Sequence, residues 1–253
     1  MDLLYNNTIL TIILILLIVV STIAVIMNSF FSEGFDTSHK HHNMRFTDVS
    51  EFGQIETKVK KSIDEIGLQI MKDIPKLKFS SNHSKKTRQD LADIKQKMSK
   101  LTPEHIEEIR KQNTFQGMIE DFSIKGTDLS RSSDGLKLAY ALHTDIDPII
   151  LNLKAYFNRP RPYHLDKSII PIIDPPKHPS YPSGHSTQSH MIALWLCEKY
   201  PQRRKFYKDV AERIGINREY AGVHYSEDTE YGKYVANYLF SNYFSGSNNP
   251  LLE

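Results

Sequence analysis

The stretch LKLAYALHTDIDPIILNLKAYF, residues 136–157, reads as one long apolar helix, and it sets the fold class. Pro148 interrupts it; a proline ring removes a backbone donor and crowds the preceding turn, so a bend is expected there. Near its end the helix delivers Lys154. Downstream, the proline-rich loop RPRPYHLDKSIIPIIDPPKHPSYP (159–182) contains no convincing strand, and helices are predicted again over 184–200, 203–218 and 229–243. Upstream, Ile55, Val59, Ile63, Ile66 and Ile70 recur at spacings of four and three, which predicts a helix with one apolar face, ended by Pro75. Leu91, Ile94 and Met98 repeat in the same way behind the basic Lys85–Arg88. Thr102-Pro103-Glu104 reads as a helix start that turns Ile106 and Ile109 inward. There is no internal repeat and no hairpin pattern, so the expected class is all-α, a helical bundle.

The bundle stands behind a separate N-terminal segment. Leu3 to Ser32 carries no charged side chain, and TILTIILILLIVVSTIAVIM (residues 8–27) is long enough, at about 1.5 Å per residue, to cross a hydrocarbon core of roughly 30 Å. Asp2 and the absence of a basic n-region argue against a cleaved signal peptide. A single-pass transmembrane helix is therefore expected; the few flanking charges (Asp2 before it; Glu33, Asp36, Lys40 and Arg45 after it) leave its orientation open. The expected organisation is a transmembrane anchor over 1–30, a polar linker over 31–48, an all-α domain over 49–245 with its motif core at 133–244, and a tail over 246–253. The linker holds His39, His41 and His42, which lack the partner ligands of a metal site.

Lys plus Arg number 32 against 30 Asp plus Glu, so no bulk positive field exists to gather nucleic acid, and any cationic site must be local. Cys197 is the only cysteine, which excludes an intrachain disulfide.

Three local patterns supply such a site: Lys154 with six residues to Arg161-Pro162, then Pro182-Ser183-Gly184-His185, then Arg218 with five residues to His224 and three more to Asp228. A phosphoryl group in transfer spreads negative charge over three oxygens and needs several fixed donors around it. Lys154, Arg161 and Arg218 are candidate phosphate-binding cations. Ser183 and Gly184 sit where a loop meets a predicted helix, whose first N–H groups point at an anion. His224 and His185 divide the remaining work. Asp228, four residues after His224, is expected to reach back one helical turn and hold one ring nitrogen protonated, which makes His224 the nucleophile and His185 the general acid.

These motifs, KAYFNRPRP (154–162), PSGH (182–185) and NREYAGVHYSED (217–228), resemble the signature of the type 2 phosphatidic acid phosphatase superfamily, which also contains bacterial non-specific acid phosphatases and vanadium haloperoxidases. The resemblance spans roughly 133–244 and HPSYPSGH (178–185) is similar to the acid phosphatase form. It implies hydrolysis of phosphate monoesters, soluble or lipid, through a phosphohistidine, with the second histidine phosphorylated and the first acting as acid. It also implies no metal and no cofactor, with vanadate an inhibitor. Asn217 stands where the family usually has Ser, for which a tuned rate is expected. Arg159 misses the six-residue spacing from Lys154 and is expected to be a supporting or surface residue. His190 is expected to pack, His143 and His178 have no partner spacing, and Tyr163 and His164 suit either a pocket wall or a loop. Trp195, Leu194 and Leu196 are expected core.

Two other functions fit parts of this pattern. A vanadium-dependent haloperoxidase uses the same cradle to hold vanadate as cofactor, although such chains are usually longer. A catalytically inactive, membrane-tethered binding protein would be expected to have lost a histidine, Asp228 or a cation, and none is lost.

Overall fold

The computed structural model describes residues 78–123 and 142–244 without a break, with 45, 46, 69, 70, 73, 129, 132, 133, 135 and 137 beside them, all in the unit His42–Glu253. The anchor expected over 8–27, the linker histidines, Ile55 to Ile66, Pro75 and the tail lie outside the described residues. Among the described residues no helix is long and apolar enough to cross a membrane, and no strand occurs.

The continuous stretches carry helices α1 (Lys85–Met98), α2 (Pro103–Lys111), α3 (Phe115–Glu120), α4 (Asp147–Phe157), α5 (Pro162–Leu165), α6 (Gly184–Lys199), α7 (Arg204–Tyr220) and α8 (Ser226–Leu239). Their starts follow the sequence. Ser84, Thr102 and Thr114 cap α1, α2 and α3 by accepting the N–H groups of Thr87, His105 and Gly117 at 3.0, 3.3 and 3.1 Å. Each such cap contributes about 1 kcal/mol. A π-helical turn, Leu142–Ile146, directly precedes α4, and Pro148 stands in the first turn of α4. There the N–H that proline lacks would have no partner within the helix.

Helix α6 is the axis of the fold. Eleven of its sixteen residues are buried, so it presents no solvent face and must be surrounded. It packs chiefly on α7 and α8, and Ile192, Trp195 and Leu196 join Leu153, Val210, Ile214, Val235 and Leu239 in the main core. Each large side chain removed from water there contributes roughly 1.5–3 kcal/mol. Leu91 and Ile94 of α1 are buried in a smaller cluster with Ile169 and Tyr225, and Met98 packs against it. Leu194 is only partly buried.

Gly232 of α8 lets the N-terminus of α6 come close. A Cβ at Gly232 would stand 2.7 Å from the Ser183 carbonyl oxygen and 2.8 Å from Ser186 Cβ, closer than atoms pack. This contact brings the start of α8, with Asp228, against the loop that enters α6.

Candidate active site

Each motif reaches the site from a different element. Lys154 lies in the last turn of α4, and Arg161 is the residue before α5. Ser183 caps α6, with its Oγ accepting Ser186 N–H at 3.3 Å. Arg218 lies in the last turn of α7, and His224 follows in the short link to α8. That link turns sharply at Gly222, whose φ of 75° favours glycine.

His224 and Asp228 therefore do not share a helix, contrary to the sequence expectation: α8 begins only at Ser226. Asp228 sits in the first turn of α8, its carboxylate folded back over the chain that enters the helix. Its Oδ2 accepts the Tyr225 N–H at 3.0 Å and lies 3.0 Å from His224 Nδ1. The contact is a helix N-terminal cap extended to a histidine. With Nδ1 directed at a carboxylate, that nitrogen carries the proton and Nε2 keeps its lone pair.

The cations converge on the same place. A cavity of about 240 Å³ is lined by Lys154, Gly184, His185, Arg218 and His224 together with apolar side chains including Phe115, Met118 and Ile150. Lys154 Nζ donates to the Pro179 and Ser180 carbonyls, both at 2.9 Å, which occupies two of its three donors. Arg218 donates to Asn113 Oδ1 and the Ile109 carbonyl, each at 3.2 Å, while its buried Nε–H has no partner among the described residues. A buried, unpaired guanidinium donor beside a cavity suits an anion. Ser183 takes the Ser186 and Thr187 N–H groups, so the open donors at the start of α6 are those of Gly184 and His185.

Two residues expected in the cradle sit behind it. Ser183 is buried and its own N–H donates to the Asp228 carbonyl at 2.9 Å. Arg161 is fully buried, with donors directed at the His178, Val223 and Pro179 carbonyls at 2.9, 2.7 and 3.3 Å. It meets the site through Nη1, 3.4 Å from His224 Nε2.

Three residues that spacing did not single out belong to the same assembly. Arg159 is buried, not at the surface. Its Nη1 donates to Asp228 Oδ1 at 2.7 Å and its Nη2 to Glu227 at 2.9 Å, with the guanidinium 4.0 Å over the Tyr225 ring and 4.7 Å from the Phe79 ring. Ser180 Oγ donates a short hydrogen bond to Asp228 Oδ2. His178 lines the cavity, its Nδ1 3.1 Å from Arg161 Nη2. His190 packs inside, its Nδ1 2.8 Å from the Ser186 carbonyl, and His164 Nδ1 accepts the Arg161 N–H at 3.2 Å, a loop role. Asn217 points away from the cavity toward α2, bonded to Gln112 at 2.8 Å and lying 2.8 Å from His105 Nε2.

Burial and crowding of positive charge set the electrostatics. His224 is pushed down to about 3, by burial first and then by Arg161, against the opposing pull of Asp228. Burial, followed by Arg218 and His224, holds His185 well below the usual imidazole range, with a hydrogen bond to the Asn113 backbone opposing. Lys154 is lowered by burial and by Arg161, and burial brings both Arg161 and Arg218 down to about 10. Burial opposes ionisation of Asp228, but Arg159 and the His224 and Ser180 hydrogen bonds keep it below the carboxylate range. The site thus holds two neutral imidazoles among cations, with one carboxylate behind the ring that could attack. Such an arrangement can bind a tetrahedral dianion, attack it through an imidazole nitrogen and protonate the departing group.

Residues 135–245 match the family model described as PAP2 superfamily. A non-specific acid phosphatase of Salmonella typhimurium is 36% identical over 59 residues, 23% of this chain and 24% of that protein, and one from Salmonella typhi matches over the same extent. The match thus spans about a quarter of the length of these curated relatives. Among solved structures, a bacterial vanadium-dependent iodoperoxidase, described as the first, superposes with a TM-score of 0.51 at 20% identity, covering 66% of this chain and 50% of its own. That likeness is one of fold. A transmembrane PAP2-type phosphatidylglycerolphosphate phosphatase from Bacillus subtilis gives a TM-score of 0.43 at 23% identity over 71% of this chain and 91% of its own.

Proposed function

We infer that this chain, similar to the PAP2 superfamily over residues 135–245, is a metal-independent phosphatase that hydrolyses phosphate monoesters through a phosphohistidine on His224. The observation that carries this reading is the orientation of one imidazole. His224 Nδ1 is fixed by Asp228 at 3.0 Å, which leaves Nε2, 3.4 Å from Arg161 Nη1, as the unprotonated nitrogen of a ring that lines the same cavity as Lys154 and Arg218. The acid phosphatase likeness supports the same chemistry.

In the first step His224 Nε2 attacks phosphorus, the P–O ester bond breaks, and the leaving oxygen takes a proton from His185. Lys154, Arg218 and the Gly184 and His185 N–H groups neutralise the equatorial oxygens, the work a divalent metal does elsewhere. Arg161 steadies His224 and the carbonyls around it. In the second step His185 takes a proton from water as the oxygen attacks phosphorus, the N–P bond breaks, and orthophosphate leaves with His224 restored. The apolar run over 8–27 supports a single-pass membrane tether for this domain.

The test is rapid acid quench with a radiolabelled phosphate ester, followed by peptide mapping. Acid-labile, base-stable label is expected on the peptide carrying His224 and none in His224→Ala. Label on the peptide carrying His185 would reverse the assignment of the two histidines, and absence of label under burst conditions would remove the covalent step.

A further inference from the structure

The turn between α2 and α3, residues 112–114, lies upstream of 135–245, the part that the family model matches. It still reaches the site. Two neighbours in this turn meet two neighbours near the end of α7: Gln112 Oε1 accepts the Asn217 amide at 2.8 Å, and Asn113 Oδ1 accepts Arg218 Nη1 at 3.2 Å. Gln112 anchors the turn. Fully buried, it also donates to Glu108 of α2 at 3.0 Å and to Asp121, just past α3, at 2.6 Å. The main chain adds two contacts. Asn113 N–H donates to the Arg110 carbonyl at 3.1 Å and not to Ile109, its partner in helical register; the Ile109 carbonyl accepts Arg218 Nη2 at 3.2 Å. Since the Asn113 N–H is engaged, the hydrogen bond between the Asn113 backbone and His185 is made by the carbonyl, with a ring N–H as donor.

We propose that Asn113 is a positioning residue for the reaction: its side-chain oxygen aims Arg218 so that Nε–H is left for phosphate, and its carbonyl fixes the ring of His185. The inference rests on the phosphatase reading. Asn113, His185 and Arg218 line the same cavity. Both Nη groups of Arg218 are held by Asn113 and Ile109, which sets the plane of the guanidinium, and Nε–H is the buried donor without a partner among the described residues. The Asn113 carbonyl does for His185 what Asp228 does for His224, but carries no charge. A neutral partner fixes the tautomer without holding the ring charged, as a general acid that must give up its proton requires.

The experiment measures orthophosphate binding by calorimetry and the pH profile of kcat/KM on phenyl phosphate, both on the full-length protein. Asn113 is exposed, so its replacement should leave the core intact. In Asn113→Ala the orthophosphate dissociation constant is expected to rise about tenfold, the scale of one hydrogen bond to a charged group, at an unchanged melting midpoint. In Asn113→Asp the alkaline limb of the profile should move up by about one pH unit: burial, then Arg218, His224 and Lys154, lower the proton affinity of His185, and a carboxylate at 113 opposes those cations. Asn113→Ala within twofold of the wild-type affinity, or an alkaline limb that Asn113→Asp leaves in place, would overturn the proposal. So would an affinity loss that comes with a lowered melting midpoint, which would make residue 113 a structural one. Failure of the wild-type protein to hydrolyse phenyl phosphate would instead refute the phosphatase reading, and orthophosphate binding, which needs no turnover, would still decide whether Asn113 holds Arg218.

Discussion

Replacing Asp228 by Asn tests the centre of the mechanism, because the structure fixes what the amide must do. The carboxylate has two sides: Oδ2 receives Tyr225 N–H, Ser180 Oγ–H and the His224 ring, and Oδ1 receives Arg159 at 2.7 Å. An amide has one oxygen. If that oxygen faces His224, the NH2 group meets the Arg159 guanidinium, which keeps only Glu227 at 2.9 Å. If the amide turns over, its NH2 group faces His224 Nδ1 and favours the tautomer protonated at Nε2, which cannot attack. Breaking a buried ion pair from one side costs about 3–5 kcal/mol, and the surviving Glu227 contact puts the expected loss of stability near the low end, about 3 kcal/mol. Catalysis loses more than geometry. Attack through Nε2 leaves positive charge on the ring, and a carboxylate about 4 Å away stabilises it by about 4 kcal/mol at an effective dielectric of 20. The expected effect is thus a fall in kcat on the order of 10³ with KM changed only modestly. Steady-state rates on phenyl phosphate, measured well below the melting midpoint found by calorimetry, separate the two effects. An Asp228→Asn protein within tenfold of wild-type kcat would refute the claim that this carboxylate sets the tautomer and charge of His224.

His185→Ala is expected to lose activity severely on alkyl phosphates and to retain much more on p-nitrophenyl phosphate, whose leaving group departs without a proton; equal losses on both would remove His185 as the acid. Orthovanadate should inhibit at low concentration and EDTA should not, while activity lost in EDTA and restored by a divalent metal would sink the metal-independent mechanism; halide oxidation with vanadate and peroxide would favour a haloperoxidase. The kcat/KM profile should peak on the acid side of neutrality: the nucleophile of the free protein stays unprotonated down to about 3, and the acid is lost below the usual 6.5. A profile rising into the alkaline range would contradict this. Stability should also fall as pH drops from 6.5 toward 3, because over that window the unfolded chain binds protons at His224 that the folded chain does not. Thermal midpoints against pH, with and without orthophosphate, measure this, and a midpoint flat across that window would argue against a buried neutral His224.

The helices were legible because their apolar periods and caps are local properties. Thr102 caps α2 as read, and Trp195 and Leu196 are buried as expected, whereas Ser84, Thr114 and the short α3 follow the same local rule without having been singled out. Spacing also brought Lys154, His185, Arg218 and His224 to one cavity. What it could not carry was the support behind them. A distance of four between His224 and Asp228 suggests a helix turn, yet the contact is made across a helix start, since a cap and an i,i+4 pair share that separation. Arg159, which fails the spacing from Lys154, pairs with Asp228, and only the tertiary approach of α8 to the loop before α5 reveals it. The doubled Arg-Pro of RPRP was the available sign. His178 and Ser180 stand two apart in an irregular loop, where no periodicity says which way they face. Asn217 sits beside Arg218 in sequence but faces α2, where it bonds to Gln112 and Glu108, a contact that adjacency in sequence does not reveal.

The same burial that depresses both histidines decides when each is ready. His224 needs no preparation: held by Asp228 and pushed down to about 3, it is a free base at any pH where the enzyme would work. His185 has the opposite problem, since burial and Arg218 strip the proton that a general acid must carry. On the phosphatase reading a phosphate dianion resolves this by arriving. Its charge offsets Arg218 and Lys154, the two cations that lower His185; Lys154 lowers His224 as well, so both rings gain proton affinity. On that reading the two rings differ in their partners, Asp228 for His224 and the Asn113 backbone for His185. With Asp228 keeping the His224 proton on Nδ1 and the dianion's charge restoring a proton to His185, one ring is set to attack while the other protonates the leaving oxygen.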